Sequence, residues 1–392
     1  MIFMEVCLEM DAEIGESSPM YHASSLARAF TFVSSYSKLG SQIGNGRFRF
    51  GLLPGLARVN SSMAAQAMVQ KEGDGEVESD QEMDYPVPLS PFAGELSKEV
   101  ELQRALVAEA AMKAGPAIGR ENVLFEDDWL MIVNKPRGLY CEHVFATVPS
   151  LCSSSVETEP HLHMANRLDR DTSGIMVVTK CREAAAKLTR AFTNREVQKT
   201  YLAQCARAHP TWRKIRIESG HGRSRYGAWR VYAKHDIGRR LPGGSAVRDM
   251  VTRVEILAGT ASLLQDMQSS SEHEPLHVVV GSEDEVRPVK NDVAEGSTAE
   301  DEQVTVVRAF PETGRTHQIR LHCQYLGLPL CGDIKYGGPL VWQGVSYDSH
   351  ALHAESLAFT HPITKEPLRV VAPCPNWAAE LGVQPFKFPS SE

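Results

Sequence analysis

Two short apolar runs, Val123 to Phe125 and Leu130 to Val133, are split by the acidic triplet Glu126, Asp127 and Asp128. The pattern predicts strand, acidic turn and strand, followed by a turn at Lys135-Pro136-Arg137-Gly138. Upstream, Val100, Leu102, Leu106, Val107 and Ala110 recur near helical spacing and predict a helix over 96–113, stopped by Gly115 and Pro116. The β-branched run 175–179 predicts a buried strand, with Thr172, Ser173 and Gly174 as the turn before it. The Ala-rich stretch 182–194 predicts a helix with Leu188 and Phe192 inward, and 197–203 alternates as a strand. Strand-like runs at 250–257 and 304–310 flank a polar, acidic stretch. They predict a hairpin interrupted by a disordered insertion at about 265–303. Thr313 and Gly314 then turn the chain into a helix start that puts Ile319 in the core.

The chain has 392 residues, 42% apolar and 23% charged, which suits one large soluble domain or two ordinary ones. No apolar run nears the roughly 18 residues of a membrane span, so no membrane partner is expected. The eight cysteines form no C-x-x-C pair and no zinc-like spacing, so reduced thiols in an intracellular compartment and no metal are expected.

Charge is segregated. Residues 161–260 carry 20 Lys+Arg against 8 Asp+Glu, while 265–303 carry 2 against 11, so the overall net of −8 hides a basic half. Within that half, Trp212, Tyr226, Trp229 and Tyr232 interleave with arginines around the glycine-rich run 220–227. Such a pattern suits RNA phosphates and unstacked bases; the competing reading is a surface hairpin paired with the acidic insertion. Walker spacing is absent. Residues 17–71 contain no acid but carry Arg28, Lys38, Arg47, Arg49 and Arg58. That is a transit-peptide composition, placing a candidate address within 20–71 after an acidic start. A chloroplast or mitochondrial location is expected, with cytoplasm or nucleus as the alternative if the stretch is a plain extension. Residues 72–90 read as a linker.

The densest candidate chemistry is Asn166-Arg167-Leu168-Asp169-Arg170-Asp171 on a loop leading into the strand at 175. From the residues alone it is either a solvated charged loop or a carboxylate site held by a core strand. Arg-Leu-Asp-x-x-Thr-Ser-Gly at 167–174 resembles the signature of the RNA pseudouridine synthases of the large-subunit ribosomal and transfer RNA type. Three further blocks resemble that family in the same order. They are the 123–138 hairpin, the Phe192-x-x-Arg195-x-Val197-x-Lys199-x-Tyr201 pattern, and 311–337 with its Gly314-Arg315-Thr316-His317-Gln318-Ile319-Arg320 core. Leu352-His353-Ala354 through Pro362 is similar to the family's closing strand pair, so the resemblance spans about 123–375 and reads as a plant-like organellar member.

The resemblance implies an α+β fold with a large, mostly antiparallel mixed sheet, surrounding helices and a central basic cleft. It implies a catalytic domain over 96–384 after an extension and linker at 1–95. Asp169 would be catalytic, Tyr201 would stack on the target base and assist proton transfer, and Arg320 would pair with the carboxylate. Arg167, Arg170, Arg195, Lys199, Arg223, Arg225, Arg315, His317 and Gln318 would contact RNA or shape its pocket. The partner would be rRNA or tRNA, bound by a monomer. Uridine-to-pseudouridine conversion is an isomerisation without redox change, so no cofactor is implied. Positive character at C1′ needs one nearby carboxylate. Asp169 could stabilise that carbon, attack it, or take the C2′ proton, and Arg320 would keep it ionised. Asn166 stands where the family carries His; it can orient the loop but cannot titrate near neutral pH. That departure is the basis of an alternative, a catalytically inactive RNA-binding or ribosome-assembly factor on the same fold. A glycosidase would need a second carboxylate, for which Asp171 is the candidate.

Overall fold

The structure is a computed structural model that describes residues 84–90, 96–153, 161–206, 210, 212–258, 276–282 and 304–388. The expected transit segment, and the insertion apart from 276–282, lie outside the described residues. The helices are α1 (Leu96–Ala114), α2 (Cys141–Leu151), α3 (Arg182–Thr193), α4 (Gln318–Tyr325) and α5 (Asn376–Ala379). The strands are β1 (Val123–Glu126), β2 (Leu130–Lys135), β3 (His163–Met164), β4 (Ser173–Thr179), β5 (Gln198–Ala206), β6 (Lys214–Arg223) and β7 (Trp229–Tyr232). After them come β8 (Arg248–Ala258), β9 (Leu276–Val279), β10 (Val304–Pro311), the small hairpin β11 (Val341–Trp342) and β12 (Val345–Ser346), β13 (Leu352–Thr360) and β14 (Pro367–Val371).

Twelve strands form one sheet in the order β1-β2-β4-β13-β5-β10-β8-β6-β7, with β14 on β13, β3 on β4 and β9 on β6. Among the described residues, only β4–β13 and β6–β9 run parallel. The expected α+β fold with a large, mostly antiparallel sheet is what the chain adopts.

The run 175–178 has no polar interruption because β4 is covered on both faces. Ile175 and Val177 pack with Leu130, Ile132 and Leu188 of α3, whereas Met176 and Val178 pack with Met131, Val133 and Val144 of α2. Each such buried side chain contributes about 1.5–3 kcal/mol. The other half of the sheet packs Ile215, Ile217, Val254 and Ala309 against Ile319, Leu321 and Cys323 of α4. Two buried histidine contacts seat α4: His322 bonds Thr252 Oγ1 at 2.8 Å and Ser219 Oγ at 2.9 Å.

Three expectations need correction. The turn before β4 lies earlier, where Thr172 N donates to Asp169 O at 3.1 Å, and Ser173 and Gly174 already belong to the strand. The insertion is not structureless throughout, because β9 extends the sheet alongside β6. The linker stops short of 84–90: Leu89 N donates to Val231 O at 2.8 Å, and Ser90 is buried. The helix expected over 96–113 forms as α1, with its large exposed apolar residues on the outer side. Leu102, Leu106 and Val107 are exposed, while Ser97 and Ala108 are buried with Glu101 and Arg104 half-buried between them. The surface beneath α1 is polar, so a charged helix face fits it better than leucines.

Gly174 is the tightest point near the centre. It holds φ 108°, and an added Cβ would lie 2.2 Å from the Ala354 carbonyl oxygen of β13. Gly174→Ala is therefore expected to cost about 2 kcal/mol or more, read as a lowered midpoint in denaturant unfolding.

Candidate active site

The site begins where β2 ends. Lys135 is fully buried, and its ammonium donates to Pro136 O at 2.9 Å, Leu139 O at 2.7 Å and Arg170 O at 2.8 Å. One cation thus ties the Lys-Pro-x-Gly turn to the Asp169 turn. Burial pulls its pKa down to about 8, with Cys141, Asp171 and Asp169 opposing. Asn166 braces the same loop from the other side. Its amide donates to Ile175 O at 3.2 Å, and its oxygen accepts from Val177 N at 2.7 Å. Its place in the chain is that of a backbone-binding amide on β4.

Asp169 receives Arg320 Nη1 on Oδ2 at 2.8 Å. Arg320 gives its remaining edge to Asp333, with Nε to Oδ2 at 2.7 Å and Nη2 to Oδ1 at 2.8 Å. Both Arg320 and Asp333 are nearly inaccessible, whereas the Asp169 side chain keeps 28% exposure. The other oxygen, Oδ1, lies 3.8 Å from His317 Nε2. His317 caps α4 with φ 56°, a left-handed backbone rare for a residue with a side chain. Its Nδ1 pairs with the Tyr336 hydroxyl at 2.7 Å, and the Arg320 guanidinium lies over the Tyr336 ring at 4.9 Å. His350 Nε2 bonds Thr172 Oγ1 at 2.8 Å behind the turn.

Burial alone would raise the Asp169 carboxyl; His317, Arg320 and His350 more than reverse this, and it lies well below the usual carboxylate range. Burial also pushes His317 far below its ordinary value and His350 to about 4, so both are neutral near pH 7. Arg320 is then the standing charge that keeps Asp169 ionised. Burial raises the Tyr201 hydroxyl well above its ordinary value, with Asp169 adding to the effect. The sheet register explains the proximity. Ala354 lies between Gly174 on β4 and Tyr201 on β5, so Tyr201 is about 9–10 Å of sheet from the turn, two strand spacings.

The structure thus brings together Asp169, Arg320, Tyr201 and His317. The remaining predicted residues divide. Arg167 is exposed, 3.7 Å from Glu142. Arg225 is exposed beside Tyr226, and Arg223 lies over Trp229 at 5.0 Å. Lys199 donates to Thr313 O at 3.3 Å, and burial with Arg195 nearby pulls it down to about 8.

Four of the expected RNA contacts have partners within the protein. Arg170 is bidentate on Asp171 at 2.7 and 2.9 Å. Arg195 and Arg315 share Asp249, at 2.5 and 2.9 Å. Gln318 is buried with its amide fully used: Oε1 accepts from Thr313 Oγ1 and Arg315 N, and Nε2 donates to Val251 O and Thr252 Oγ1. It is a peg for the α4 start, not a ligand group. The Asp171 carboxylate is likewise occupied, which removes it as the second carboxylate of a glycosidase. The acids beside these basic residues stand on α1, α2, the Asp169 turn and β8, and the acids of the insertion lie outside the described residues.

Asp333, Tyr336, His350 and Lys135 were not singled out as site residues. Asp333 and Tyr336 lie in the Gly332-Asp-Ile-Lys-Tyr-Gly337 block, and a buried Arg expected beside one carboxylate was the available signal for a second. No group of three or more His, Cys, Asp or Glu is arranged to hold a metal among the described residues.

The sequence profile of the RNA pseudouridylate synthase family matches residues 129–325. RNA pseudouridine synthase 1 of Oryza sativa subsp. japonica is 50% identical over 304 residues, 76% of this chain and 84% of that protein. RNA pseudouridine synthase 1 of Arabidopsis thaliana is 46% identical over 307 residues, 78% and 90% of the two chains. Ribosomal large subunit pseudouridine synthase C of Yersinia pestis is 31% identical over 261 residues, 65% and 66% of the two. The matched span runs through the turn of Asp169 and the helix of Arg320, and the chain belongs to the RNA pseudouridylate synthase family, isomerases that act on RNA.

Proposed function

We propose that this protein converts selected uridines of ribosomal or transfer RNA to pseudouridine, with Asp169 as the catalytic carboxylate. The observation that carries the reading is the asymmetric use of that carboxylate: Arg320 holds Oδ2 at 2.8 Å, while Oδ1 lies 3.8 Å from His317 Nε2 and the side chain keeps 28% exposure. The reaction breaks the C1′–N1 bond, turns the uracil and closes C1′–C5. The C5 hydrogen leaves as a proton and N1 ends protonated, so substrate and product are isomers. Oδ1 serves all three roles open to Asp169: facing C1′ as counter-charge, attacking it, or accepting the C2′ proton.

The target nucleotide must be extruded from the RNA, and stacking on Tyr201 would offset that by ~1–3 kcal/mol. The exposed Arg167 and Arg225 suit phosphate contacts of a salt-sensitive kind. The Yersinia pestis relative is named for the ribosomal large subunit, which makes large ribosomal RNA the first substrate to test. The acid-poor, Arg-bearing stretch within 20–71 supports an organellar address, chloroplast or mitochondrion.

Release of tritium from uracil C5 measures the reaction directly. With tritiated ribosomal and transfer RNA from cells lacking the protein, Asp169→Asn is expected to lower turnover by roughly a thousandfold or more, with RNA affinity kept within about threefold. Retained turnover would sink the assignment. Because the folded Asp169 pKa is depressed, the carboxylate stays ionised as pH falls through the ordinary range near 4. The kcat profile of the wild type should therefore show no acid limb from Asp169 between about pH 8 and 5; a titration in that window contradicts the Arg320 pairing. Asn166 was the basis for an inactive factor, but its amide is committed to β4 backbone. Asn166→Ala is expected to cost about 1–3 kcal/mol of stability in denaturant titrations, with kcat per folded molecule within about threefold of wild type.

A further inference from the structure

The helix α1 precedes the family match at 129–325, yet its inward face touches the catalytic turn. Arg104 is the centre of the contact, with a side chain only 8% exposed. Its Nη1 donates to Gly332 O at 3.0 Å, and its Nη2 donates to Tyr347 O at 3.2 Å. The same Nη1 stands 3.6 Å from Asp171 Oδ2. Three residues earlier, Glu101 Oε2 accepts from Arg170 Nη2 at 2.9 Å. Arg170 and Asp171 are bidentate partners of each other. Two acids and two bases thus close a neutral ring, half from α1 and half from the two residues after Asp169.

The carbonyls chosen by Arg104 matter as much as the ring. Gly332 directly precedes Asp333, the carboxylate that orients Arg320. Tyr347 lies three residues before His350, which bonds Thr172 at the far end of the catalytic turn. One guanidinium therefore spans the Asp333 segment, the His350 segment and the turn itself. Arginine suits this because its planar fork can serve several acceptors at fixed angles, which a lysine cannot. It also accounts for the unusual orientation of α1, with its charged face inward and Leu102, Leu106 and Val107 outward.

We propose that α1 is a positioning clamp of the active site and that Arg104 is its principal positioning residue. Arg104 touches no reacting atom in this reading, which rests on Asp169 being the catalytic carboxylate. It holds Asp169 and Arg320 at their mutual distance by pinning the segments behind both. Displacements of about 1 Å at reacting groups can cost on the order of a hundredfold in rate, so a clamp of this kind acts on turnover more than on binding.

The test uses the full-length chain, RNA tritiated at uracil C5 from cells lacking the protein, and rates normalised to folded protein well below the melting temperature. Arg104→Ala is expected to lower kcat about tenfold or more while KM for RNA changes less than about twofold. Arg104→Lys, which keeps the charge and can reach one carbonyl, is expected to recover part of that loss. Glu101→Gln is nearly isosteric and is expected to lower kcat about threefold by releasing Arg170. A brace that only stabilises the fold predicts a lower melting temperature with wild-type kcat per folded molecule in all three variants, and that result overturns the proposal. If Arg104→Ala does not fold, wild-type kcat in both Arg104→Lys and Glu101→Gln overturns it equally. Asp169→Asn is run on the same RNA as the control. Activity surviving there removes the catalytic assignment itself, whereas its loss beside a fully active Arg104→Ala removes the clamp alone.

Discussion

The whole site depends on one buried guanidinium shared by two carboxylates. Arg320 is almost sealed from solvent, between Asp333 at its Nε edge and Asp169 at Nη1. Removing such charges from water is expensive, and only near-ideal hydrogen bonding offsets the cost. Asp333 is the buried, bidentate partner that fixes the guanidinium plane; Asp169 is the more exposed one and has an oxygen left for chemistry. The division of labour between the two acids follows from exposure and from the number of bonds each receives.

Holding that arrangement requires the start of α4 to be exact. His317 enters it with a left-handed backbone, and Gln318 spends both ends of its amide on the preceding turn and on β8. On the opposite wall, Lys135 and Asn166 fix the Asp169 turn almost wholly through backbone atoms. Backbone acceptors do not titrate, so on this wall the titrating member is the Lys135 ammonium, whose pKa burial pulls down to about 8. Asn166 fits this logic, since the loop asks for one donor and one acceptor at that point.

The basic half of the chain has a smaller free charge than its composition implies. Arg170, Arg195 and Arg315 are paired with Asp171 and Asp249, and Arg216 with Glu218 and Glu312. Arg167 and Arg225 are exposed, Arg167 with Glu142 at 3.7 Å.

Local pattern alone was enough for much of the fold. Continuous β-branched runs marked strands buried on two faces, Gly115 and Pro116 ended α1, and the acidic triplet after Phe125 made the first hairpin. The Arg-Leu-Asp turn and its partner Arg320 were readable because they sit in contiguous motifs. Other features depend on what lies across space. The apolar spacing of α1 marks a helix, and the polar surface beneath it makes Arg104 the inward residue. Gln318 looked like a ligand group until the preceding turn and β8 claimed both ends of its amide, and β9 emerged from a polar insertion because β6 offered an open edge. Sequence determines which segments can be strand, helix or turn, since those preferences act between near neighbours. Tertiary structure alone decides which charges are spent and which remain free, because an ion pair forms between residues that only the fold brings within a few ångströms.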